Sequence, residues 1–497
     1  MNQQKRPNII VFMTDHQRGD TILANSPVKT PNLDRFRSQA VTFSNAWCHP
    51  PHCCPSRATF FTGLYPSQHG VWNNVDVSNA LSHGPFEGVR MFSEDLRDAG
   101  YRLYFSGKWH VSSEKGPEAY GFERVYHTGE YGPWPRRPDD REWRHYRQPR
   151  ELDQGAESRQ PGQILRPGYP RYLQYGETEN PFHDEDVVNA AVEKLKQLDG
   201  EEPYFFFVGP LGPHDPYFVP QRFLDLYDPD EIRLPDNFYD DLLDKPALYR
   251  RTKNRFSQLT VQEQKESIRH FYAFCSYEDE LFGRILNQVE QSGQMENTLL
   301  LYVSDHGDYI GAHGLWAKGL PCFREAYHIC SMAGGGVVQQ AGRTDCSRIS
   351  LADWAPTFLE LAGAPARPME GRSLAGLLRG EPPANPRTYT YTQTNGNEIY
   401  GIQRAVWNDQ WKYVFNTFDY DELYDLEKDP GELHNLLHGL ENDEIDASPY
   451  GPVVRQLCRA LWDFALQHQD NCVNPYIMTA LAPYGPGILW QTDPRDQ

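Results

Sequence analysis

Thr298-Leu299-Leu300-Leu301-Tyr302-Val303-Ser304-Asp305-His306-Gly307-Asp308 decides the fold. Its apolar run lacks the polar alternation of a half-solvated strand, which marks a parallel strand buried on both faces. It ends abruptly in an acid, an imidazole, a glycine and a second acid. Open α/β sheets bind ligands at the carboxyl ends of their strands. Three further runs end in the same way. Ile9–Met13 leads into Thr14-Asp15-His16, Tyr101–Phe105 into Ser106-Gly107-Lys108-Trp109-His110, and Tyr204–Val208 into Gly212-Pro213-His214-Asp215. Helix-like stretches separate these runs: Pro31–Gln39, Glu94–Ala99, Asp184–Leu198, Val261–Gln291 and Asp353–Ala362, the last stopped by Gly363. The alternation predicts an α/β sheet covered by helices, and the strand ends predict one shared polar crevice.

The crevice residues suit charge-stabilised group transfer. Asp15, Asp305 and His306 form an oxygen-rich set for Ca²⁺, Mg²⁺ or Mn²⁺. Lys108, Lys318 and Arg57 can neutralise a tetrahedral oxyanion, and His110 and His214 can carry protons near neutral pH. A metal ringed by cations fits transfer of a sulfuryl or phosphoryl group. Cys53-Cys54-Pro55-Ser56-Arg57 reads as a loop entering a helix, where a dipole favours an anion or an ionised thiol.

The chain has 497 residues and a formal charge of −20. The length predicts a catalytic unit over residues 1–383, a small α+β unit over 384–470 with an antiparallel sheet and one helix, and a tail over 471–497 that folds back. Pro382, Pro383 and Pro386 mark the linker. The acidity argues against nucleic acid or an anionic bilayer as partner. No apolar run is long enough to span a membrane, and the start shows no signal-peptide pattern. The chain as written therefore reads as cytoplasmic, or as periplasmic if its start is trimmed. Nine cysteines read as reduced, mostly buried thiols. Gly116–Thr178 reads as a long surface insertion. Its Trp134, Arg136 and Arg137 read equally as solvated loop or as a rim for an anionic sugar.

Cys53-x-Pro55-Ser56-Arg57 with Thr62-Gly63, then Gly107-Lys108-Trp109-His110, Ser304-Asp305-His306-Gly307-Asp308 and Gly314-Leu315-Trp316-Ala317-Lys318-Gly319, in this order, resembles the type I sulfatases of the alkaline phosphatase superfamily. Choline sulfatases and phosphonate monoester hydrolases are among the relatives. The resemblance runs from about Pro7 to Asn435. It implies an alkaline-phosphatase-like α/β sandwich with a small C-terminal α+β domain. It also implies conversion of Cys53, not Cys54, to formylglycine by a formylglycine-generating or anaerobic sulfatase-maturating enzyme.

The implied chemistry starts from the hydrated aldehyde at Cys53. One hydroxyl, activated by the metal and Asp305, attacks sulfur. His214, aided by Lys318, protonates the leaving alcohol. His110 takes the second hydroxyl proton, and sulfate leaves as the aldehyde re-forms. Arg57 stabilises the diol and Lys108 bridges it to sulfate. The implied metal set is Asp15, Cys53, Asp305 and His306, with Ca²⁺ the expected ion.

Two positions depart from the family pattern. His16 stands where many members carry a second acid; it can be a ligand, a contact behind the ligands, or point away. His52 precedes Cys53 where an uncharged residue is usual. Asn74 and His313 are further candidates for touching substrate, against a turn and a structural role respectively. Asp308 reads as a loop cap. The expected reaction is hydrolysis of a sulfate ester, on a sulfated carbohydrate. The alternatives are a phosphonate monoester or phosphodiester hydrolase and a non-catalytic binder of sulfated glycans. A homo-oligomer stays open.

Overall fold

The computed structural model describes residues 5–77, 79–126, 159–164, 172–397, 399–474, 476 and 480–491. Trp134, Arg136, Arg137 and most of the expected insertion lie outside them.

The strands of the larger sheet are β1 (Asn8–Thr14), β2 (Ala40–Phe43), β3 (Arg102–Gly107), β4 (Glu123–Tyr126), β5 (Tyr204–Gly209), β6 (Thr298–Ser304), β7 (Ser331–Gly334) and β8 (Arg343–Asp345). They lie in the order β8-β2-β7-β6-β1-β5-β3-β4. The strands β6, β1, β5, β3 and β4 run parallel, so their carboxyl ends share one edge. The short β7 is antiparallel to β6 and to β2.

The sheet separates two apolar cores with the period of two that a strand imposes. Ile9, Val11 and Met13, in register with Leu299, Leu301 and Val303, face one core. Ile10 and Phe12, in register with Leu300 and Tyr302, face the other. The helices that cover the sheet include α1 (Pro31–Arg37), α2 (Cys53–Thr62), α3 (Phe92–Asp98), α4 (Asp184–Leu195), α5 (Val261–Gln291) and α6 (Trp354–Ala362). Thr260 starts α5 with a capping box: its hydroxyl accepts from the Glu263 amide at 3.2 Å, and the Glu263 carboxylate accepts from the Thr260 amide at 2.7 Å. Gly63 ends α2 in the left-handed region, at φ 70°.

A second sheet of β9 (Thr390–Gly396), β10 (Tyr400–Trp407), β11 (Trp411–Asn416) and β12 (Glu422–Asp425) is antiparallel throughout. One face, with Ala405, Trp407, Val414 and Tyr424, joins the first large core. The other, with Val406, Tyr413, Phe415 and Leu423, covers α7 (Gly451–Gln467).

One expectation changes. Glu123–Tyr126, read as the beginning of a surface insertion, is β4 and extends the larger sheet beside β3. An edge strand bearing Glu123 and Arg124 is only half buried and carries no apolar run. In the tail, Val473, Ala482 and Ile488 are buried with α7, whereas Tyr476 and Trp490 remain 86% and 73% exposed.

Candidate active site

The shared edge brings four strand ends together. Asp15 and His16 follow β1, Lys108 follows β3, the Gly212–Asp215 turn follows β5, and Asp305 and His306 follow β6. Backbone bonds lock the ends to one another. The Asp15 amide donates to the Gly212 carbonyl at 3.0 Å, and the Asp305 amide to the Thr14 carbonyl at 3.2 Å. Helix α2 points its first residue, Cys53, into this edge. Asn74 Oδ1 accepts from the Cys54 amide at 3.2 Å, so it caps the helix start that presents Cys53. The Asn74 amide in turn donates to Asn397 Oδ1 at 2.9 Å, tying that start to the β9–β10 hairpin.

Cys53 Sγ lies 3.5 Å from Asp15 Oδ1, 3.2 Å from His306 Nε2 and 3.3 Å from Lys318 Nζ. Burial alone would raise its pKa, but Lys108, Lys318 and His306 outweigh it and bring it well below the ordinary thiol value. Asp15 is also buried, yet Lys108, His214 and Arg57 bring it well below the usual carboxylate range. Arg57 is fully buried and bridges both acids, with Nε 2.8 Å from Asp305 Oδ2 and Nη2 3.3 Å from Asp15 Oδ2. Lys108 Nζ also pairs with Asp15. Asp305 itself is pushed up by burial and by the charge of Asp15. Two buried carboxylates this close call for added positive charge.

Asp15, Cys53, Asp305 and His306 offer ligand atoms within 4.8 Å of one another, as do Asp15, His16, Cys53 and His214. His306 Nδ1 meets the Gly307 carbonyl at 2.8 Å, which leaves Nε2 facing the cluster. His16 does not point away. Its Nδ1 meets Asp308 Oδ2 at 2.7 Å, and its Nε2 lies 3.7 Å from Asp15 Oδ1 and pairs with Lys318. Burial, with His214, Lys318 and His306, keeps His16 neutral, the form that ligates. Two carboxyl groups, a helix start bearing a cysteine sulfur and imidazoles turned inward fit a divalent cation.

His214 Nε2 lies 3.0 Å from Lys318 Nζ, and its ring sits over His16 at a centroid distance of 3.9 Å. His110 Nε2 lies 2.9 Å from Asp76 Oδ1. Burial would lower the His110 pKa, but Cys54 and Asp76 lift it well above the ordinary value. His16 and His110 both adopt left-handed backbone, at φ 68° and 52°, a strain that clusters where function holds a side chain.

Other candidates stand elsewhere. Both His313 nitrogens are taken, by Asp240 at 2.7 Å and Asn237 at 3.0 Å, and its ring stacks on Phe323. It is therefore a structural histidine rather than a group lining the pocket. His52 is buried and neutral, its pKa pushed down to about 3 by burial, His306 and Lys318. No charge therefore precedes Cys53 in the folded chain. Asp308 does cap a loop, accepting from the Ile310 amide at 3.0 Å, but it also holds His16 and accepts from the Tyr217 hydroxyl at 2.8 Å. Sequence reasoning missed that second role, and it missed Asp76 and Tyr217 altogether. Only the Asp-His-Gly-Asp spacing hinted at Asp308.

Residues 7–364 match the family described as Sulfatase, and residues 331–451 match the C-terminal part of N-sulphoglucosamine sulphohydrolase. The choline-sulfatase of Rhizobium meliloti is 29% identical over 94% of this chain and 87% of its own length. The N-acetylglucosamine-6-O-sulfatase of Bacteroides thetaiotaomicron is 24% identical over 94% and 88%. Among solved structures, the phosphonate monoester hydrolase of Agrobacterium radiobacter shares the fold, with a TM-score of 0.73 at 21% identity over 93% of this chain and 96% of that one. The chain belongs to the sulfatase family, enzymes that hydrolyse sulfate esters.

Proposed function

We propose that this sulfatase acts on a sulfated saccharide, with Cys53 converted to formylglycine by a maturating enzyme. Asp15, Asp305, His306 and His16 are the residues that would hold a divalent cation, Ca²⁺ before Mg²⁺ or Mn²⁺. The observation that carries the reading is the setting of Cys53: a buried helix start with Asp15, His306 and Lys318 all within 3.5 Å of one sulfur.

The converted side chain supplies an oxygen nucleophile, and the cation supplies positive charge beside it. The remaining steps belong to this chain's own residues. Lys108 and Lys318 flank the nucleophile and hold the oxygens of the incoming sulfate. Arg57 bridges Asp15 and Asp305 and favours their charged forms. His214, backed by Lys318, delivers a proton to the departing alkoxide oxygen. His110, paired with Asp76, would take the proton released at the nucleophile when sulfate departs, and so must first give up the proton that this pairing favours.

The saccharide part rests on the relative named for N-acetylglucosamine 6-O-sulfate and on the match to a sulphoglucosamine sulphohydrolase segment. A second reading, the sulfate ester of a small cationic alcohol, rests on the choline-sulfatase relative and on Asp76, whose side chain is 56% exposed beside His110. Steady-state rates on glucosamine 6-sulfate, choline sulfate and phenyl phosphonate decide among them. A kcat/KM led by the sugar sulfate is expected; a lead by the phosphonate overturns the sulfatase reading. Mass spectrometry of the Cys53 peptide tests the conversion, and an unmodified thiol in fully active protein refutes it.

A further inference from the structure

A buried pair of carboxyl groups lies beneath the His214 turn, outside the cluster described above. Asp184 opens α4 and Glu278 lies within α5, and both are fully buried. Asp184 Oδ1 accepts from the Leu211 amide at 2.7 Å, and Oδ2 from the Gly212 amide at 2.8 Å. Those amides begin the turn that the His214 amide closes on the Leu211 carbonyl at 3.1 Å. The Gly212 carbonyl is also the acceptor for the Asp15 amide. One carboxyl group thus ties the turn bearing His214 to the end of β1.

Glu278 presses on the same turn. A Cβ at position 212 would stand 2.1 Å from Glu278 Oε1 and 2.4 Å from Phe274 Cε2, so the turn packs directly on Glu278 and any larger residue there must displace it. Among the described residues no N–H or hydroxyl reaches either Glu278 oxygen, and the polar group it meets is the Asp184 carboxyl. Two buried carboxylates in contact do not both ionise, and a proton between them lets one donate to the other. Burial, then Asp184, lifts Glu278 well above the usual range, and burial lifts Asp184 to about 7.

We propose that Glu278 stands as a carboxylic acid donating to Asp184, and that this pair is a clamp that positions His214 against the leaving-group oxygen. The inference rests on the reading of His214 as the residue that protonates that oxygen. Asp184 and Glu278 are positioning residues: each acts on the reaction only through the turn.

Leaving-group dependence tests it in the full-length, matured enzyme. A 4-nitrophenyl leaving group departs without a proton, whereas an alkyl or sugar alkoxide needs one. His214→Ala and Asp184→Asn are each expected to lose about 10²-fold more kcat on an alkyl sulfate than on 4-nitrophenyl sulfate. Glu278→Leu should show the same selective loss, and Glu278→Gln, whose amide still donates, should restore the wild-type ratio. Equal loss on both esters in Asp184→Asn, beside a selective His214→Ala, overturns the clamp alone. A flat response in His214→Ala overturns the His214 reading and the clamp with it. Should Asp184→Asn fail to fold by circular dichroism, the Glu278 pair carries the test. A selective loss in Glu278→Gln shows that an ionised glutamate is needed, and refutes the proposal.

Discussion

His16 Nδ1 lies 2.7 Å from Asp308 Oδ2, with both side chains fully buried, and this bond turns His16 Nε2 toward Asp15 and Cys53. A carboxylate behind a ligating imidazole fixes its tautomer and raises its basicity, and its loss weakens metal affinity about 10–100-fold. Asp308→Ala is therefore expected to need about that much more free cation to regain activity after chelation. Superimposable titrations of variant and wild type would show that His16 is no ligand.

Cys53 and Cys54 are neighbours with opposite settings. Cys53 stands among cations that bring its pKa well below the ordinary thiol value, whereas Cys54 is buried with its pKa raised, and its sulfur accepts from the Val75 amide at 3.3 Å. Cys53→Ser should abolish multiple turnover. Cys54→Ser, whose hydroxyl can take the same amide, should keep kcat close to wild type. The reverse pattern in steady-state assays would move the nucleophile to Cys54.

Arg57 spans Asp15 and Asp305, and no part of the three side chains is exposed. Arg57→Ala leaves two buried acids without their shared partner, and such a loss costs about 3–5 kcal/mol. Urea unfolding should show a drop of that size in cation-free protein and a smaller one with cation bound. An equal drop under both conditions would mean that the cation does not share these acids.

Asp421, beneath β11, accepts from the Tyr413 hydroxyl and from the Asn416 amide, and burial lifts its pKa to about 7. Between the ordinary value of 3.8 and about 7, the folded chain keeps a proton that the unfolded chain releases. Its stabilising contribution is complete below 3.8 and is lost as pH rises through 7. From about pH 5 to about pH 8, wild type should lose on the order of 2 kcal/mol more than Asp421→Asn. Parallel stability curves for the two proteins would place the ionisation elsewhere.

The four motif-bearing strand ends could be read directly, because unbroken apolar runs stopping at polar residues are local features. Helix α5 also matched its expected limits, Val261–Gln291, since a capping threonine and a long 3.6-residue period mark it. Strand β7 was invisible: Ser-Met-Ala-Gly is too short and too small to signal a strand, and its burial comes from neighbours on both sides. His313 misled because its proximity to Gly314 in the chain says nothing of Asp240 and Asn237, which occupy its ring.

The chain's own order of residues determined that an acid, a cation and imidazoles stand at the ends of parallel strands, and that a cysteine opens a helix among them. Only the tertiary structure decided which of these groups meet and in what state. Asp308 behind His16, Asp76 on His110 and Glu278 beneath Gly212 are pairings set by strand register and helix placement. Their charges follow from burial and contact, which no local pattern of residues encodes.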